Sequence, residues 1–299
     1  EDGTHRAAHR PWRHRSDPIR LAPQSSPYHR PVDPFATLSD WPGRTAAAVV
    51  QPDGSVDRRG DTTEPFALAS VTKLLTAMTV LIAHEEGTLY LEEPIGPGGS
   101  TTTDLLAHTA GVAPDTLDQL APPRTRRIYS TSAYDLAANA VTERSGIAFQ
   151  DYLDEALTIP LGLRATRLSG SAGAGARASV DDLVRVIDTW RRPVLIGEPT
   201  LQQAVTSHLP DLDGVLPGFG TQRPNPWGIG PEIRGHKDPH WTAAGNSPRT
   251  YGHFGQAGTM LWIDPDARTA AVALCTEPFG PWAAAAWPRF SADALASAT

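Results

Sequence analysis

Ser70 and Lys73, in the stretch PFALASVTKLLTAMTV, stand three residues apart at the head of an apolar run. On a helix this spacing puts both side chains on one face, about 5–6 Å apart at Cβ. A serine hydroxyl is a poor nucleophile until a base takes its proton. A lysine enclosed by apolar side chains has its pKa pulled down far enough to be that base, whereas arginine stays protonated at any ordinary pH. The choice of lysine is informative here, because the chain's 26 Lys and Arg residues include only two lysines, Lys73 and Lys237. A helix-capping serine followed by a surface lysine has the same spacing, so the pair needs partners before it means chemistry.

Two further patches supply them. RRIYSTSAYDLAANAVTERSG places Tyr129, Ser130 and Thr131 just before an apolar-faced helix, and YGHFGQAGTMLWIDP places His253, Phe254, Gly255 and Gln256 at the entry to a C-terminal hairpin. In this order the three patches resemble the three motifs of the serine β-lactamase and penicillin-binding protein superfamily. The likeness is strongest to the branch holding class C β-lactamases, D-alanyl-D-alanine carboxypeptidases and esterases, which shows S-x-x-K, then Y-x-N, then K-T-G or H-x-G. The connecting stretches TTTDLLAHTAGV, LTIPLGL and ASVDDLVRV are similar to those of the branch as well, so the resemblance runs from about residue 45 to 277.

The resemblance implies a serine hydrolase acting through a covalent acyl-enzyme. Ser70 would be the nucleophile, Lys73 its proton partner and Tyr129 the second acid or base. A lysine cation beside the tyrosine would favour phenolate. Backbone N–H groups of Ser70 and Gln256 would form the oxyanion hole, and His253 and Gly255 would line the cleft. A second register, with Ser130 in the S-x-N role of class A β-lactamases, fits less well than Y-S-T-S-A-Y read from Tyr129 to Tyr134. Three positions depart from the pattern: Thr131 for an acylamide-binding asparagine, Phe254 for a carboxylate-binding threonine or serine, and His253 for lysine. These changes weaken recognition of an acylamino carboxylate and favour an ester or neutral acyl substrate; the activity expected overall is esterase or carboxypeptidase-like. The alternatives are β-lactamase or penicillin-binding activity, and a degenerate binding protein of the same fold.

Elements must hold these patches together. TAAAVVQPDGSVDRRGD reads as strand, Pro-Asp-Gly turn and strand. Residues 70–86 read as a helix with a broad apolar face, ended by Gly87. TMLWID and TAAVALC read as a hairpin joined by PDAR, followed by a closing helix over 282–298 that Pro288 breaks. Residues 207–252, rich in Gly, Pro, Asn and Trp, read as long loops; there Trp227, Trp241 and Lys237 form either a cleft wall or a surface loop. The expected fold is α+β: an antiparallel sheet from about 45–66 and 250–277, flanked by helices, with a helical lobe between. Residues 1–34 read as an extended Arg-, His- and Pro-rich arm, and 35–299 as one hydrolase domain.

Composition sets the remaining bounds. A formal net charge of -7 argues against nucleic acid as a partner, and no apolar run approaches the roughly 18 residues of a membrane span. His5, His9 and His14 lack cysteine or carboxylate partners at ligand spacing, so no metal or cofactor is expected. Cys275, the single cysteine, reads as a small core residue. It fits cytoplasmic and exported proteins equally; the resemblance implies an extracytoplasmic one. The expected partner is a small ester, peptide or β-lactam-type substrate.

Overall fold

Strands distant in sequence, Thr45–Val50 and Thr269–Cys275, pair side by side in one sheet. The structure, a computed structural model, describes Gly3 and residues 32–298. Most of the expected arm, with His5, His9 and His14, lies outside the described residues. In chain order the elements begin with β1 (Thr45–Val50), β2 (Val56–Arg59), β3 (Phe66–Ala67), α1 (Thr72–Glu85), α2 (Thr102–Leu106) and α3 (Ser132–Ser145). Next come α4 (Phe149–Leu153), α5 (Ile159–Leu161), β4 (Arg167–Leu168), β5 (Ala176–Ala178), α6 (Val180–Arg191) and α7 (Glu198–Ala204). The last are β6 (Gly214–Leu216), β7 (Gly220–Gln222), β8 (Glu232–Ile233), β9 (Tyr251–Gly255), β10 (Thr259–Asp264), β11 (Thr269–Cys275) and α8 (Pro281–Ser297).

The main sheet is six-stranded and antiparallel, in the order β2-β1-β11-β10-β9-β8. Successive side chains of a strand point to opposite faces, and both faces are buried here. Ala46, Ala48, Val50, Val272 and Leu274 enter the core that contains α1 and α6. Ala47, Val49, Ala271, Ala273 and Cys275 enter a second core under α8 with Phe35 and Trp41. A strand buried on both faces reads as an unbroken apolar run, which is how TAAAVV and TAAVALC stand out in the sequence. The Cys275 thiol donates to the Pro42 carbonyl within that second core.

Helix α1 is buried on every side from Thr72 to Ala83, as expected of a helix apolar around most of its circumference. Gly87 follows it at φ +77°, the left-handed conformation in which a side chain is strained. Three expectations change. The N-terminal share of the main sheet ends at Arg59; Phe66–Ala67 instead pairs with β5 in a small sheet ordered β3-β5-β4. Residues 207–252 hold the β6–β7 hairpin and edge strand β8, elements too short to show a period. Helix α8 runs through Pro288 without a break: a proline removes one N–H bond, while Ala283, Trp287, Phe290 and Ala294 hold both halves against the sheet. Among the described residues, no helix is long and apolar enough to cross a membrane.

Candidate active site

Ser70 sits in a single 3-10 turn, Ala69–Val71, directly before α1. Ala69 is held at φ +45°, a conformation that costs an L-residue energy and persists only where its surroundings impose it. Strand β9 is part of those surroundings. A Cβ on Gly255 would lie 2.2 Å from the Leu68 carbonyl and 3.1 Å from the Ser70 nitrogen. The strand can press on the serine turn only because residue 255 has no side chain. Thr259 fixes the same carbonyl with a 2.8 Å hydrogen bond.

Tyr129 and Lys73 both reach Ser70. The tyrosine hydroxyl donates to Ser70 Oγ at 2.6 Å, and Lys73 Nζ lies 3.3 Å from the same oxygen. Lys73 is wholly buried. Its amine also donates to the Gly173 carbonyl at 2.8 Å and to Thr131 Oγ1 at 3.3 Å, and sits 4.7 Å from the centroid of the Tyr129 ring. Burial pulls its pKa down to about 7, against a smaller opposing pull from Asp135 and Asp115. A substantial fraction is therefore neutral amine near neutral pH.

Burial acts on Tyr129 in the opposite sense, raising its pKa well above that of a free phenol; the hydrogen bond to Ser70 offsets only part of the rise. This corrects the expectation of a phenolate. Taking the phenol out of water disfavours its anion more than the neighbouring groups favour it.

The segment carrying Tyr129 is tied down behind the site. The Arg127 guanidinium donates to the carbonyls of Ala107, Asn225 (2.6 Å) and His208 (2.7 Å). Ser130 turns away from the pocket and donates to the Ala113 carbonyl at 2.7 Å, so the second register has no geometric support. The Ser130 N–H donates to Nδ1 of His108 at 3.2 Å, and the His108 ring packs 4.5 Å from that of Tyr129.

A pocket of about 70 Å³ opens over Ser70, lined by Tyr129, Leu216, Pro217, Trp227, His253, Phe254 and Gln256. His253 is buried, and desolvation, aided by the Lys73 charge, lowers its pKa to about 3, so it is neutral. Phe254 reaches the pocket edge while its ring belongs to the aromatic cluster under α8, edge-on to Phe219 and Trp287. Thr131 is not among the lining residues. Its hydroxyl partners Lys73 instead.

Beside this pocket, and sharing Tyr129 and Pro217 with it, lies a cleft of about 500 Å³. Its walls include Pro114, Leu120, Ile128 and Val215, with Arg126 and Arg223 at its rim. Hairpin β6–β7 contributes Leu216 to the pocket and Val215 and Thr221 to the cleft.

Several site groups were not legible in the sequence. Gly173, in a Gly-Ala-Ser run without period, holds the lysine amine through its backbone oxygen, which no side-chain pattern announces. His108 lay within a stretch noticed only for its resemblance. Lys237 had the same signal as Lys73, rarity, and it is also buried. Its ammonium pairs with Glu232 at 2.6 Å and donates to the carbonyls of Pro226 and Ile233. Burial lowers its pKa to about 8, which leaves it charged at neutral pH. Glu232 also accepts from Trp241 Nε1 at 2.6 Å. Of the two readings of this segment, Trp227 walls the pocket and Trp241 is buried behind it.

The Beta-lactamase family model matches residues 43–296. The chain belongs to the beta-lactamase family. It is 47% identical to a beta-lactamase from Mycobacterium bovis of known crystal structure, with a TM-score of 0.87, covering 89% of this chain and all of that one. The fold is shared with the penicillin-binding protein from Bacillus halodurans, at 17% identity and a TM-score of 0.70 over 85% of this chain and 98% of that one. A curated relative, penicillin-binding protein 4* of Bacillus subtilis, is 27% identical over 136 residues; the match spans 30% of that protein's length. The beta-lactamase fold thus places this chain in the serine beta-lactamase and penicillin-binding protein superfamily.

Proposed function

We propose that this beta-lactamase family protein is a serine hydrolase that forms an acyl-enzyme on Ser70 and prefers neutral esters with an apolar acyl group. The observation that carries the reading is the convergence of Tyr129 Oη at 2.6 Å and Lys73 Nζ at 3.3 Å on one serine oxygen. Neutral Lys73 takes the Ser70 proton as Oγ attacks the carbonyl carbon, and the backbone N–H groups of Ser70 and Gln256 hold the oxyanion. Donors of this kind are each worth about 3–4 kcal/mol in the transition state. When the intermediate collapses, Tyr129, kept protonated by burial, gives its proton to the leaving oxygen. The Lys73 ammonium then restores it. Water attacks the acyl-enzyme with the same groups in reverse.

The preference for an apolar acyl group rests on the wider cleft, whose walls are Pro114, Leu120, Ile128 and Val215. The preference for a neutral substrate rests on neutral His253 and on Phe254, which bring no cation to the pocket. A second reading, β-lactam hydrolysis, is favoured by the 47% identity to the Mycobacterium bovis protein described as a beta-lactamase. Incubation with p-nitrophenyl hexanoate and with a fluorescent penicillin, followed by rate and intact-mass measurement, distinguishes the two. Ester turnover with an acyl adduct absent from Ser70→Ala is the expected result. Turnover of the penicillin alone selects the second reading, and neither turnover nor adduct removes both.

A further inference from the structure

His253 lines the nucleophile pocket with Ser70, Tyr129 and Gln256 and is 3% exposed. Its Nδ1 lies 2.6 Å from the carbonyl oxygen of Phe254. A carbonyl can only accept, so Nδ1 carries the proton. Burial beside the Lys73 amine keeps the ring neutral. Nε2 is therefore a bare lone pair. It is buried and has no hydrogen-bond partner among the described residues.

The rings packed against His253 have no donor to spare. Tyr129, 5.9 Å away between centroids, has its hydroxyl committed to Ser70. Trp227, 5.6 Å away, has its indole N–H committed to the Gly230 carbonyl at 3.1 Å. A buried acceptor left unsatisfied carries a desolvation cost that a matching donor removes. His253 is also absent from the walls of the acyl cleft, so the group that meets it belongs to the other side of the scissile bond.

We propose that Nε2 of His253 is a specificity-determining acceptor for the leaving group. It selects leaving groups that carry an N–H or O–H next to the scissile bond, and it disfavours a carboxylate there. The inference rests on the acyl-enzyme reading given above. The substrate class is accordingly an ester or thioester whose leaving group is a neutral hydroxylated or amide-bearing alcohol or thiol. An oxygen anion facing the lone pair would meet repulsion with no donor between them. A neutral group without a donor would leave Nε2 unpaired.

Three hexanoyl thioesters that differ only in the leaving thiol test this, with release followed by a chromogenic disulfide: mercaptoacetamide, methyl mercaptoacetate and mercaptoacetate. The expected order of kcat/KM in the wild type is amide, then methyl ester, then carboxylate. The amide should lead the methyl ester by about tenfold, the value of one well-made hydrogen bond. His253→Phe keeps a ring but removes the acceptor, and should bring amide and methyl ester within about twofold of each other. Nitrogen NMR of the imidazole should show the neutral Nδ1–H tautomer near neutral pH, a premise that stays testable even if His253→Phe does not fold.

Carboxylate preferred by the wild type, the amide lead surviving in His253→Phe, or an Nε2–H tautomer each overturns the inference. Ser70-dependent turnover would still stand in those cases and keep the acyl-enzyme reading intact. Absence of Ser70-dependent turnover of all three thioesters overturns both.

Discussion

At the scale of single residues, the proposed chemistry turns on Lys73. With its pKa lowered to about 7 by burial, the fraction of amine able to take the Ser70 proton rises as pH passes through 7. The kcat/KM for a p-nitrophenyl ester should therefore climb through that region to a plateau. Lys73→Arg, which cannot deprotonate, should lose at least about 10³-fold, the usual scale of a general base. Retention of most activity in that variant would place the base elsewhere. The same burial shapes stability. Unfolded Lys73 titrates near 10.5 and folded Lys73 near 7, so between those values the unfolded chain binds more protons and stability rises with pH. Below pH 7 the full cost of burying the lysine is present. The stability advantage of Lys73→Met should thus shrink by about 3 kcal/mol between pH 7 and 9.5; urea unfolding of both proteins at the two pH values measures it. A constant gap would contradict a depressed pKa.

At the scale of elements, the serine turn and strand β9 are one unit. The absent side chain of Gly255 lets the strand lie against Leu68 and Ser70. Gly255→Ala should lower stability by about 1–3 kcal/mol, as overpacking does, and cut acylation more than tenfold by displacing the Ser70 N–H. Wild-type acylation by that variant would show that β9 does not set the turn. Much of this architecture was legible beforehand, because strands buried on both faces and a helix buried all round leave unbroken apolar runs. Strands β6, β7 and β8 were not, since two or three residues carry no period. Pro288 misled for a different reason: local propensity argues for a break, and the packing of Trp287 and Phe290 on the sheet overrides it. At the site, Ser70, Tyr129 and His253 were readable as motif residues. The Gly173 carbonyl was not, and neither was the protonation of Tyr129, which depends on burial and not on residue type.

The whole molecule adds a scale that no motif predicts. Among the described residues, Leu120 and Val215 are two of the few large apolar side chains left exposed, and both line the cleft beside the Ser70 pocket. Each methylene buried there contributes about 0.8 kcal/mol. If that is expressed even in part, kcat/KM for p-nitrophenyl esters should rise more than tenfold from acetate to hexanoate. Val215→Arg should flatten this rise and leave acetate unchanged; a flat wild-type series would detach the cleft from the acyl group.

The burial of both lysines has a consequence of another kind. Lys73 and Lys237 are the only two in the chain, and both are enclosed in the fold. Folded protein thus offers no lysine side chain to amine-directed cross-linkers, and a lysine-specific protease should cut it only after the fold has opened. Cleavage at these two positions is therefore a direct clock for unfolding. Of the two lysine amines, the one beside Ser70 has the lower pKa and is the more nucleophilic near neutral pH once a small acylating reagent reaches it.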